Sequence, residues 1–180
     1  GLFRLNNELP LTKESGIYES NLTPKFNLMY SPNKSKNIIN ENKRINIDNI
    51  YSLNRLGNNE TVEGGFSSTL GIDYKKIKKN DLKEVIGISL ATVVRIEENE
   101  DLPKVSSIGQ KNSDVFGKLS FNPKNNFNLS YDFALDNNLD KTNYNLLSSE
   151  FKVNNFVTKF EFSNDDRISK KEKHISNSST

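Results

Sequence analysis

Phe127-Asn128-Leu129-Ser130-Tyr131-Asp132-Phe133-Ala134-Leu135 puts a large apolar side chain at every odd position and a small or polar one at every even position. Alternate side chains of an extended chain point to opposite faces, so the stretch predicts a strand with one greasy face and one wet face. The same alternation, less regular, runs from Pro24 to Tyr30, Phe66 to Tyr74, Ile86 to Val94, Val115 to Phe121 and Phe156 to Phe162. Weaker versions at about 2–12 and 144–153 bring the expected total to about eight strands of about 8–12 residues each. Soluble strands average ~5–6 residues, whereas a tilted membrane strand needs ~9–11. The lengths favour a bilayer, and helical periodicity is nearly absent.

The connections carry a second signal. Glu14-Ser15-Gly16, Lys75 to Lys83, Pro123-Lys124-Asn125-Asn126 and Val153-Asn154-Asn155-Phe156 read as short turns. Between them lie longer polar segments at about 32–64, 96–113, 136–143 and 163 onward. Short and long connections alternate strictly, so an up-and-down meander gathers all its short turns at one end. Outer-membrane barrels have that asymmetry, with short periplasmic turns and long outer loops. The longest connection, 32–64, contains Ile45, Ile47, Ile50, Tyr51 and Leu53. A solvated loop has no need of them, so it is expected to fold inward over a barrel mouth.

Composition agrees. The chain has 180 residues, enough for one domain or a piece of a larger one. Hydrophobic residues are only 33%, against ~45–50% with glycine counted for globular proteins. In a barrel wall only alternate residues must be apolar, because the interior is polar. A net charge of +2 argues against a nucleic-acid binder. The absence of cysteine excludes a disulfide scaffold, a thiolate zinc site and a cysteine nucleophile within these residues. No run of ~18 apolar residues forms a membrane helix, and no signal-peptide pattern opens the chain. The start at Gly1 and the polar finish Lys170-Lys171-Glu172-Lys173-His174 read as cuts within a longer protein. Tyr30, Tyr74, Phe121, Phe127 and Phe162 suit the aromatic girdles of a barrel, or the core of a β-sandwich.

Little here supports catalysis. The lone His174 sits in a polar tail, and neither a phosphate-cradling glycine loop nor a nucleophile elbow occurs. Glu97-Glu98-Asn99-Glu100-Asp101 offers carboxylates to a hard cation but reads more simply as a solvated outer loop. No enzyme, metal or cofactor is expected. Lysines 75, 76, 78 and 79 flank a turn, where they can attract anionic headgroups or simply keep it solvated. Asn21-Leu22-Thr23 and Asn59-Glu60-Thr61 fit the glycosylation pattern, which means little in a bacterial envelope. Asp73, Lys118, Asp132, Glu150 and Lys159 fall on the wet faces of their strands. A lysine on the lipid face costs up to ~2–4 kcal/mol at the midplane, so these residues should line the lumen. There they contact the contents of the lumen, or else form a hydrated wall with cross-strand ion pairs.

Leu22 to Asn33, with its Pro24 and its exit Tyr30-Ser31-Pro32, resembles a segment of the outer-membrane LPS-assembly family LptD. Asp48 to Gly65 follows the family's loop text. Thr69, Gly71, Ile72 and Tyr74 match "Thr-x-Gly-hydrophobic-x-Tyr", Val85 to Val94 resembles the next strand, and Ser113-Asp114-Val115-Phe116-Gly117 resembles "Ser-Asp-Ile-Val-Gly". Two departures stand out. Ala91-Thr92 replaces the usual Gly-Gln, and Asn58-Asn59-Glu60-Thr61 replaces a Tyr/Leu-Asp-Arg text. The resemblance implies that residues 1–180 are a middle-to-late part of a large carboxy-terminal transmembrane β-barrel. It implies an LptE-like plug lipoprotein, an LptA-like periplasmic bridge, lipopolysaccharide as cargo and the outer membrane of a Gram-negative bacterium as the location, and with them contact of Asp73, Lys118, Asp132, Glu150 and Lys159 with the plug or with the sugars and phosphates of lipopolysaccharide. The family's jelly roll, seam strands and disulfide cysteines would lie outside this chain. The alternatives are a general porin or receptor barrel, and a soluble all-β binding module.

Overall fold

The computed structural model describes residues 1–57, 62–154, 156–167 and 172–179. Ten strands form one antiparallel sheet: β1 Phe3–Glu8, β2 Leu11–Ser15, β3 Tyr18–Ser31, β4 Gly65–Lys78, β5 Lys83–Arg95, β6 Val115–Lys124, β7 Phe127–Leu135, β8 Thr142–Val153, β9 Phe156–Asp165 and β10 Glu172–Ser179. From β3 onward each strand pairs with the next, so the fold is an all-β up-and-down meander. The sheet is open, with β1 and β2 at one edge and β10 at the other. No described helix is long and apolar enough to cross a membrane, which says nothing about strands.

The expected alternation of connections is present, with corrections at its margins. Gly16 (φ 57°) and Asn154 (φ 53°) take the left-handed conformation that tight turns demand. Asn155 lies outside the described residues. The Lys75–Lys83 turn is shorter than its lysines suggested, because β4 and β5 continue to Lys78 and from Lys83. The loop expected at 136–143 gives way to β8 at Thr142. The segment from 163 onward contains β10, paired with β9 from Glu172↔Asp165 to Ser179↔Thr158. His174 therefore belongs to a strand, not to a free polar tail. Glu172 to Ser179 lacks alternating large apolar residues, so only backbone pairing reveals it.

The segment at 2–12 is likewise two strands, not one. β1 pairs with the upper half of β3 and β2 with the lower half. The break falls at Leu9-Pro10, opposite Pro24, whose carbonyl accepts the Leu9 N–H at 3.1 Å. Proline has no N–H, so neither Pro10 nor Pro24 can complete the ladder there.

Register turns the alternation of each strand into a continuous surface. Leu11, Leu22, Tyr74, Ile88, Leu119, Tyr131, Leu147 and Phe162 lie directly opposite one another across eight strands, and Ile175 of β10 is opposite Phe162. Tyr74 and Phe162, read from the sequence as girdle aromatics, belong to this row. It lies well below the long-loop end of β4 yet near that end of β9. Such stagger is what tilted strands of a barrel wall require. The apolar face is left open: Leu70 is 46% exposed, Phe121 42% and Phe160 39%. No second sheet covers it among the described residues.

The buried core is on the other, polar face. Ala91, Val93, Phe116 and Ala134 of the strands are covered by Ile38, Ile45, Ile50 and Leu56 of the 32–64 connection, and by Leu102 and Ile108 of the β5–β6 loop. Ile47 and Tyr51 pack against this cluster, so the expectation of an inward fold holds for four of its five residues. Leu53 is the exception, being exposed.

Candidate functional site: the polar face and its docked loop

Small side chains on the polar face make room for the loop. Gly71 of β4 faces the Tyr51 ring, and a Cβ there would overlap the Tyr51 hydroxyl and come within 2.7 Å of the Leu90 carbonyl oxygen. Glycine is required at this point by close approach rather than by backbone conformation. Gly71→Val is expected to cost about 1–3 kcal/mol through overpacking. Faster proteolysis of segment 32–57 in the assembled protein would register it, and unchanged protection would refute the packing.

Four residues beyond Tyr51, Arg55 is 2% exposed, and so is Arg95 at the end of β5. Both guanidiniums bind Glu63. Arg55 donates from Nε to Glu63 Oε2 at 2.7 Å and from its terminal nitrogen to Oε1, which Arg95 also engages. Arg55 further donates to Thr69 Oγ1 at 3.0 Å and Ser67 Oγ at 3.1 Å, both on β4. Arg95 reaches the Gly64 carbonyl. Ser35 and Asn99 complete the tie: Asn99 Nδ2 and the Gly64 N–H donate to Ser35 Oγ at 2.8 and 2.9 Å. This Arg–Glu–Arg triad fastens both long loops to the top of β4 and β5. Burial pushes the Glu63 carboxyl up, but the two guanidiniums outweigh it and hold the group below the usual carboxylate range. The loop text already contained Arg55 and Glu63, but nothing local showed that Arg95 would meet them.

A second tie joins β6 to β9. Asp114, 2% exposed, accepts from Arg167 at 2.6 Å and from Asn143 at 3.3 Å. Burial raises its carboxyl, and Arg167 offsets this only in part. Ser113 Oγ accepts the Val93 N–H at 2.8 Å, stitching the start of β6 to β5. Arg44 of the loop pairs with Asp165 and lies over the Tyr144 ring at 4.6 Å.

All five sequence-predicted lumen residues lie on the polar face, and the sheet pairs four of them. Lys118 is opposite Asp132 and Glu150 is opposite Lys159, at 3.9 and 3.0 Å respectively. Lys118 also holds Asp48 of the loop at 2.7 Å, and Glu150 holds Lys152 at 2.8 Å. Asp73 meets none of the other four. Its partner is Lys25 of β3 at 2.8 Å. Lys25, Asp48, Asp73 and Lys118 line one recess of about 330 Å³ under Tyr51. A second, of about 230 Å³, is lined by Ser120, Asn128, Ser130, Ser148, Glu150 and Lys159. Lys25 and Asp48 carry no local motif, since their roles exist only across strands. Among the described residues the acidic run 97–101 joins no cluster of three metal-binding side chains. Its Asn99 serves the loop tie instead. The departure Asn58-Asn59-Glu60-Thr61 lies outside the described residues, whereas Ala91 is buried beneath the loop.

The arrangement is a sheet with an open apolar side, and a polar side with ion pairs under a pinned loop. The family model for LptD, LPS transport system D, matches residues 2–177. No curated protein matches the chain.

Proposed function

The chain belongs to the LptD family of LPS transport, and on that premise we propose that it forms part of the wall of an outer-membrane barrel that delivers lipopolysaccharide to the outer leaflet. One observation carries this reading: the face that is covered is the polar one, and the face left open is the apolar one. A soluble sheet buries its apolar face, whereas a barrel wall turns that face to hydrocarbon. Residues 1–180 are then a segment of the carboxy-terminal barrel, with neighbouring strands at β1/β2 and β10 supplied by the rest of the protein.

The chemistry of transport follows from the two faces. Acyl chains stay with the lipid while the phosphorylated sugar headgroup follows the wet side. Lys25, Lys118 and Lys159 offer cations to phosphate, and Asp73, Asp132 and Glu150 keep each cation partly neutralised. Binding at any one point is therefore weak enough to be left again. The docked 32–57 segment narrows the polar side towards the long-loop end, leaving room below for an LptE-like plug. An LptA-like bridge would load cargo from the short-turn side.

Depleting the full-length protein in its Gram-negative host should remove lipopolysaccharide from the cell surface, as read by labelling of intact cells. Unchanged surface lipopolysaccharide, together with ion conductance through the purified protein, would instead identify a general porin.

A further inference from the structure

At the short-turn rim the sheet sorts its charges by face. On β4, Lys76 and Lys78 share the outward parity of Tyr74, and Lys13 of β2 faces Ser20 beside Lys76. On β5, simple alternation would turn Lys83 inward and Glu84 outward. A register shift beside Lys76/Ile77 leaves Val85 unpaired and reverses this. Lys83 therefore lies opposite Lys78 on the apolar side, while Glu84 turns inward to Ser120 at 2.8 Å and Lys75 at 3.4 Å. Glu14 also turns inward, to Lys79. Among the described residues, the outward strand positions of this rim from β2 to β6 carry lysines and no carboxylate, and Asp81 lies in the turn between β4 and β5.

Two further features point to an anionic occupant. Lys78 and Lys83 sit directly opposite each other, a like-charge pair that a bound anion would relieve, and the Lys83 ammonium donates to Asn125 Oδ1 at 2.9 Å, a neutral partner. Lys76 rests over the Tyr18 ring at 4.6 Å, next to the apolar row. Lysine stems and tyrosine rings of this kind settle at the headgroup level of a bilayer.

We propose that the outward short-turn rim, built on Lys76, Lys78 and Lys83, binds anionic glycerophospholipid headgroups of the leaflet that the short turns face. The inference rests on the barrel reading and adds a lipid preference to it. Full-length protein in detergent would be titrated with phosphatidylglycerol or phosphatidylcholine, and bound lipid counted by native mass spectrometry. Wild type should favour phosphatidylglycerol about tenfold, since each near-surface lysine attracts anionic lipid and salt screens part of it. Lys76→Gln, Lys78→Gln and Lys83→Gln together should abolish the preference, and arginine at the three positions should restore it. The inward pair Lys75→Gln and Lys79→Gln should leave it intact. If the triple variant does not assemble, Lys83→Gln alone should reduce the preference about threefold. Equal binding of the two lipids by wild type, or equal loss from the inward pair, overturns the proposal. Heat-modifiable electrophoretic mobility reports the barrel separately: its absence in wild type sinks both readings, whereas its presence without a lipid preference sinks this one alone.

Discussion

Glu63→Ala should free the long loop from the sheet. The substitution leaves Arg55 and Arg95 buried side by side with no counter-charge, and stranding charges in this way costs about 3–5 kcal/mol. The loss should appear as rapid proteolysis within 32–57 and a lower temperature for loss of heat-modifiable mobility. Replacing Glu63, Arg55 and Arg95 together by apolar residues of similar size should be milder, because no charge is then stranded. Acid should do the same work as the mutation. The folded Glu63 carboxyl lies below its usual value of 4.5, so in the window beneath that value the unfolded state binds more protons. Its contribution is complete above about pH 4.5 and fades as pH falls through the folded value. Loop protection should be flat from neutrality to about pH 5 and decline below it, and the decline should be missing in the apolar triple variant. Equal protection of Glu63→Ala and wild type at neutral pH would show that the triad does not pin the loop.

Tyr131→Arg and Leu129→Arg should each impair assembly of the full-length protein into the membrane, while Ser130→Arg is tolerated better. Tyr131 sits in the apolar row between Leu119 and Leu147, and Leu129 sits between Phe121 and Ser149 one row below. Arginine on a lipid face near the midplane costs ~2–4 kcal/mol. Ser130 points the other way, to the recess that contains Glu150, where a guanidinium finds water and a carboxylate. The fraction recovered from outer membranes in heat-modifiable form measures the difference. Equal recovery of all three variants would remove the assignment of faces, and the wall reading with it.

How much of this was legible in the residues depends on how local each feature is. The faces of β7 can be read from nine consecutive residues, because a period of two is a property of a single strand. The placing of Asp73, Lys118, Asp132, Glu150 and Lys159 on the polar face follows from the same parity. The inward fold of the 32–64 connection announced itself through Ile45 and Ile50, which no solvated loop requires. Parity fails where an extra residue enters a strand: the unpaired Val85 sends Glu84 and Lys83 to the sides opposite to those alternation assigns.

Fold class, the apolar and polar faces and the alternation of turn lengths were thus determined by sequence alone, since each depends on side-chain period and turn chemistry over a few neighbouring residues. The tertiary structure decided the rest: the addition of β10, the aligned row from Leu11 to Phe162, the meeting of Arg55, Glu63 and Arg95, and the pairing of Lys25 with Asp73. These are contacts between residues far apart in the chain, and their partners are chosen by backbone register and by burial against groups that no local pattern names.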